Sequence, residues 1–382
     1  MKKWLTILVL IGTFVSAQAE PNPWIEPPLT TERNFPVPRP DVVPEIPAAH
    51  GSYPAYAIEW WYWVGHLRAA ETDEQFGFQS TVFRRAAGPD AGDAEDTAQC
   101  GDDQLFMSHA GLSDLTAGRY THVERIYRGG WQAHSAEGQL DLAAGPIMAM
   151  ENGQGGFSMT VSYPDDSRLE LTLTPTKPMV SFGDRGLSRK GADPAAVSWY
   201  WSYSRKAVRG QLWRNGEATA VEGVAWMDHE ISSSQLGSNL AGWDWTAIQL
   251  DDGTEVKAYR LRENDGGMDP WSACYWIDEA GEVSYVYADR FEWREIDAWT
   301  SDDTGLTYPT SVDIVARHPD TDIIRTYRLR PLLDEQEFRG NRAENPYWEG
   351  ACEVLDENGD RIGLAYLELA GYGGGLAAQL AQ

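Results

Sequence analysis

Apolar and polar residues alternate with a period of two along much of the chain. In SRLELTLTP (167–175), Leu169, Leu171 and Leu173 alternate with polar neighbours, as in a strand with one face in a core. TAIQLDDGTEVKAYRLR (246–262) reads as two strands joined through Asp252-Gly253. VLDENGDRIGLAYLEL (354–369) repeats the device with Asn358-Gly359. No long stretch has helical periodicity. The pattern predicts an all-β chain of many antiparallel strands, as sandwich or barrel.

One segment breaks the half-buried pattern. In EWWYWVGHL (59–67) one strand face carries Glu59, Trp61, Trp63 and Leu67, and the other carries Trp60, Tyr62, Val64 and His66. Neither is a solvent face, so this strand is expected to be covered on both sides. Aromatic clusters recur in SWYWSYS (198–204), GWDW (242–245) and PYWEG (346–350), and Trp makes up 17 of 382 residues. Taken singly, each of these aromatics fits an ordinary core. Together they suit the wall of a pocket for a flat, apolar or cationic guest.

The ends read differently. Lys2 and Lys3 precede an apolar run, Leu5 to Val15, and a small-x-small site, Ala17-Gln18-Ala19. Residues 1–19 are expected to be a cleaved signal peptide, which places the protein in the periplasm or outside the cell. No other apolar run is long enough to span a bilayer, so no stable membrane insertion is expected. Residues 20–49 form a proline-rich, extended lead-in, with nine prolines between 20 and 48. The acidic stretch 86–104 reads as a surface loop, and 374–382 as a flexible tail. Of six lysines, only Lys177, Lys190, Lys206 and Lys257 lie beyond the leader, and the formal charge is −27. Such an acidic surface repels nucleic acid and anionic lipid. Cys100, Cys274 and Cys352 are far apart and lack metal-ligand spacing, so at most one disulfide is expected.

The densest polar constellation is GVAWMDHEISSSQLGSNLAGWDW (223–245). It holds the consecutive Asp228, His229 and Glu230, with Asp244 between two tryptophans. Asp244 would share a strand face with Thr246, Ile248 and Leu250, opposite Trp243, Trp245, Ala247 and Gln249. A carboxylate on an apolar face either pairs with a base or stays protonated, and a protonated one in an aromatic pocket is a general acid. G-x-S-x-G, S-x-x-K and H-E-x-x-H are all absent from the sequence, as are Walker and Rossmann fingerprints. A carboxylate pair on an exported, tryptophan-rich β protein would also suit a glycosidase.

Several segments follow one another in an order that resembles a known family. They are EWWYWVGHL, FGFQSTVFR (76–84), LFMSHAGLSDL (105–115), GDRGLSRKG (183–191), VEGVAWMDHEISSSQLG (221–237), GWDWTAIQLDDGTE (242–255), YWEGACEV (347–354) and YLELAGY (366–372). Together they resemble the AttH-like, carotenoid 1,2-hydratase-related family, also labelled predicted secreted hydrolase. The resemblance implies two lipocalin-like antiparallel β-barrel domains in tandem, over 50–222 and 223–373. It implies an apolar ligand and neither metal nor organic cofactor. Relatives hydrate terminal double bonds of acyclic carotenoids, or fold polyenes for cycloaddition. The acidic motif matches at Asp228, His229 and Glu230, but Ile231 stands where many members carry Trp. In the hydratases an aromatic near this point helps steady the cation, and that departure therefore weakens a hydratase reading.

The expected mechanism is acid-catalysed hydration or isomerisation of a C=C bond in an isoprenoid, polyene or lipid. Asp244 or Glu230 would donate the proton, and His229 would orient the donor or accept a proton from water. Trp60, Trp61, Tyr62, Trp63, Trp243, Trp245 and Tyr259 would form the ligand's walls. The competing readings are a non-catalytic periplasmic lipid carrier, with its acids salt-bridged to arginine, and a shape-directed pericyclase. The sequence says nothing of oligomeric state.

Overall fold

The computed structural model describes residues 23–88, 104–340 and 345–376. The leader 1–19, Cys100, most of the loop 86–104 and most of the tail lie outside the described residues. Strands make up 58% of the chain and helix 2%; the helical elements among the described residues include two short 3-10 turns, Ala48–His50 and Ala288–Arg290. Among the described residues no helix is long and apolar enough to cross a membrane.

The strands form two antiparallel sheets, as tandem lipocalin-like barrels require. The first runs from Arg119–Arg128 through Gln104–Asp114, Gln75–Ala86, Ile58–Ala69, Glu217–Ser232, Val197–Arg214 and Arg168–Pro175 to Ala133–Ser135. The second contains Leu240–Leu250, Glu255–Glu263, Ala273–Ile277, Tyr347–Leu355 and Arg361–Ala370 among its ten strands. The hairpins read from Asp252-Gly253 and Asn358-Gly359 are present, and both glycines take φ +87°. Leu169, Leu171 and Leu173 are buried while their neighbours are not.

The expected division at 222/223 cuts the strand Glu217–Ser232, which belongs to the first sheet throughout. The second sheet begins only at Leu240. Gly223 marks a close strand approach rather than a domain opening: a Cβ there would lie 1.9 Å from the His66 carbonyl oxygen.

Each barrel encloses its own apolar core. Trp61, Trp63, Leu67, Phe76, Phe78 and Met227 pack inside the first, and Ile248, Leu250, Tyr308, Trp348 and Leu367 inside the second. A third cluster joins the barrels through Tyr62, Val64, Phe182, Tyr200, Trp226, Trp245, Tyr259, Tyr275 and Tyr366. The lead-in lies along the first barrel, where Val37 and Ala49 pack with Trp199, Trp201 and Ile231. The strand Ile58–Ala69 is therefore covered on both faces, by the barrel core on one side and the second barrel on the other.

Candidate functional site

The seam between the barrels gathers polar groups as well as rings. Strand alternation sends Asp228 and Glu230 to the same side as Trp226, toward the second barrel. Asp228, 1% exposed, accepts from Tyr200 Oη at 2.6 Å, from Trp226 Nε1 at 2.5 Å and from Ser202 Oγ. Burial raises its pKa, against the pull of Lys257 and of these three donors. The donors mark it as an acceptor. Lys257 Nζ stands 3.1 Å from the Tyr200 ring centroid and 3.6 Å from that of Phe182. Burial pushes this amine well below the usual lysine range. Glu230 accepts from Ser198 Oγ at 2.6 Å and pairs with Lys190 Nζ at 3.0 Å.

Facing this group, the second barrel supplies two carboxyls absent from the sequence-based candidates. Glu349 and Glu368 are cross-strand partners in the register of Tyr347–Leu355 and Arg361–Ala370. Tyr62 Oη donates to Glu349 Oε1 at 2.5 Å, across the join, and Trp243 Nε1 donates to Glu368 Oε1 at 3.0 Å. Burial pushes the Glu368 carboxyl up to about 8, with the negative charges of Asp228, Asp244 and Glu230 adding to the rise. Burial, then the charge of Glu368, raises Glu349 well above the usual carboxylate range. The two carboxyls neighbour each other across the strands, Glu349 buried and Glu368 partly exposed, and both are shifted toward the protonated form.

The anticipated residues separate into distinct places. Tyr62, Trp243, Trp245 and Tyr259 meet at the seam with Asp228 and Glu230. Trp61 and Trp63 fill the first barrel. Trp60 is half-buried under the lead-in beside Phe35 and Ala57, with its ring 5.8 Å from that of Phe83. Asp244 does share the face of Thr246, Ile248 and Leu250, but it points into the second barrel. Arg260 Nε donates to it at 2.7 Å, Arg262 Nε at 3.0 Å and Tyr372 Oη at 3.0 Å. Burial raises its pKa, but two guanidinium groups at hydrogen-bond distance pull the other way and favour an ion-paired carboxylate, which is the wrong state for a proton donor.

His229 faces away from its sequence neighbours, into the first barrel. It stacks on Trp61 at 4.8 Å and its nitrogens meet Ala49 O at 2.9 Å and Glu59 Oε1 at 2.8 Å. It orients neither Asp244 nor Glu230. Glu59 is in turn held by Arg84 Nε at 2.7 Å and Ser52 Oγ at 2.9 Å. This buried network ties the lead-in to the barrel wall.

One signal could have exposed the missed pair. Glu368 is the single charge within the apolar run LAYLELA (364–370), and Glu349 sits between Trp348 and Gly350. Neither position suits a solvent face. Among the described residues no group of three His, Cys, Asp or Glu side chains is placed to hold a metal ion.

A separate open cavity of about 860 Å3 lies at the first barrel, between the lead-in and residues 175–186. Val42, Val43, Ile46, Pro178, Met179 and Tyr203 give it a mostly apolar lining.

Comparison with known proteins agrees with this architecture. The crystal structure of a putative AttH from Nitrosomonas europaea is 30% identical, with a TM-score of 0.76 over 86% of this chain and 97% of that one. The crystal structure of kievitone hydratase from Nectria haematococca is 13% identical, with a TM-score of 0.63 over 90% of this chain and 96% of that one. The latter is a likeness of fold. No curated protein matches the sequence. The AttH-like family profile matches residues 37–372, and the chain belongs to the AttH-like family.

Proposed function

We propose that the protein adds water across a C=C bond of an apolar small molecule, at the seam between its barrels. The observation that carries this reading is the cross-strand Glu349–Glu368 pair, both carboxyls shifted toward the protonated form, beside the aromatic walls of Tyr62, Trp243 and Trp245. The pair delivers its proton to one alkene carbon, leaving a carbocation at the other. Indole and phenol faces and the Asp228 carboxylate stabilise that charge. Water then bonds to the cationic carbon, and its surplus proton returns to the glutamate pair. Environment divides the labour between a protonated acid pair and a carboxylate held by three donors. Export rests on residues 1–19 of the sequence alone.

The test uses the protein in H2(18)O with acyclic terpenoid alkenes and kievitone as probes, read by mass spectrometry. The expected products gain one molecule of labelled water. Glu349→Gln and Glu368→Gln each lower their yield at least about a hundredfold, the usual scale of a general acid. Undiminished turnover in both variants would refute the assignment. A carrier without chemistry is the second reading, favoured by the open apolar cavity at the first barrel and by the arginine-paired Asp244. On that reading every probe would be recovered unlabelled and bound.

A further inference from the structure

The first barrel contains a polar group that its core does not need. Lys206 is fully buried, and its Nζ has no hydrogen-bond partner among the described residues. It stands 3.6 Å from the ring centroid of Phe157 and 4.0 Å from that of Tyr203. An amine in such a place is costly to bury without a partner. A methionine would fill the same space without that penalty.

The backbone is adjusted to put it there. Residues three apart on a regular strand point to opposite faces. A register shift between Tyr203 and Lys206 inserts one extra residue against the strand Glu217–Ser232. This bulge turns both side chains into the first barrel, where Tyr203 and the following Val208 and Leu212 join its core. Tyr203 also lines the open cavity, so the amine sits one ring behind that cavity's wall.

A proton relay runs from the same wall. Tyr203 Oη is 2.9 Å from His50 Nε2, and His50 Nδ1 is 2.8 Å from Glu151 Oε1. Burial holds the Lys206 amine well below the usual lysine range, which leaves its lone pair available.

We infer that Lys206 captures apolar aldehydes that enter the first-barrel cavity, forming an imine through its Nζ. The Nζ lone pair bonds to the carbonyl carbon, the carbonyl π electrons move to oxygen, and that oxygen gains a proton. Nitrogen gives up one proton, carried by water to the Tyr203–His50–Glu151 relay. The carbinolamine oxygen then takes a second proton and leaves as water, and the nitrogen loses its remaining proton as C=N forms. Amine and aldehyde thus give imine and one water, with no oxidant or reductant. The aliphatic chain would lie along Val42, Val43, Ile46 and Met179. This site is distinct from the seam and stands whether or not the seam hydrates alkenes.

The test incubates the intact protein with decanal, a saturated aldehyde incapable of conjugate addition, at pH 7, followed by cyanoborohydride and peptide mapping. The expected result is one reduced adduct per chain, on Lys206, formed at least about tenfold faster than on Lys177, Lys190 or Lys257. That preference disappears in denaturant. Tyr203→Phe slows adduct formation while leaving it on Lys206. Lys206→Arg abolishes it with unchanged circular dichroism. The mapping on the unaltered protein decides the matter should Lys206→Arg fold poorly. No adduct on Lys206, or equal labelling of all amines in the folded protein, overturns the inference.

Discussion

Replacing Glu368 with Gln offers a direct measure of the proton held at the seam. The amide keeps the acceptor that Trp243 Nε1 uses and removes the titration. The Glu368 carboxyl is raised from an ordinary 4.5 to about 8. Between those values the folded protein holds a proton that the unfolded chain releases, so stability falls as pH rises through this window. Below 4.5 both states are protonated and the penalty vanishes. Above 8 it levels off at roughly 5 kcal/mol, since the rise from 4.5 to about 8 is weighted by 1.36 kcal/mol per pH unit. Each pH unit between about 5 and 8 therefore costs the parent protein on the order of 1 kcal/mol relative to the variant. Burial raises Glu349 in both proteins, so most of its contribution cancels in the comparison. Urea unfolding followed by tryptophan fluorescence at pH 5, 6, 7 and 8, at constant ionic strength, gives the two stability curves. The variant should gain steadily on the parent as pH rises. Parallel curves would mean that Glu368 is ionised in the fold, and the proton-donor role would fall with it.

Two further outcomes test the assignments around the second barrel. Asp244→Ala leaves Arg260 and Arg262, both largely buried, without their shared carboxylate. It should destabilise the protein by about 3–5 kcal/mol in urea unfolding, the scale of a broken buried ion pair. Cys274 and Cys352 are both buried and free, and burial raises both thiols far above the usual range. Ellman's reagent should modify neither in the folded protein and both in denaturant. In a Cys100→Ser background, reaction in the native state would place Cys274 or Cys352 at an accessible surface.

The fold was legible because each barrel strand carries its own signature. Leu169, Leu171 and Leu173 announce a half-buried strand, and Asp252-Gly253 and Asn358-Gly359 announce hairpins. EWWYWVGHL announces a strand with no solvent face. The site was only partly legible, for two physical reasons. Alternation assigns side chains to two faces of a strand but does not say what covers each face. It puts Asp244 on the correct face, yet only the three-dimensional register brings Arg260 and Arg262 onto it. Each glutamate stands out within its own apolar strand, but the acid pair depends on a cross-strand pairing, Glu349 with Glu368, that neither strand reveals alone. The same holds for Lys206, whose inward direction depends on a bulge with no distinct residue pattern. The scarcity of lysine was nevertheless a clue. Lys206 and Lys257 have no exposed surface, and the side chains of Lys177 and Lys190 are only 6% and 12% exposed.

The run Asp228-His229-Glu230 gains its meaning from the strand that carries it. Glu217–Ser232 is the wall shared by the first-barrel interior and the seam, so consecutive residues serve different compartments. Asp228 and Glu230 receive donors from Tyr200, Ser198 and Lys190 at the seam, while His229 locks Glu59 and the lead-in on the other side. The neighbouring strand divides in the same way, with Tyr62 reaching Glu349 and Trp61 stacking on His229. Both strands are rich in aromatics along this wall because neither face there meets water. Polar residues persist in them only where a partner from another strand, the lead-in or the second barrel satisfies them. A polar run inside such a strand therefore marks two back-to-back networks. A change at His229 should first loosen the lead-in, whereas one at Asp228 should first alter the charge at the seam.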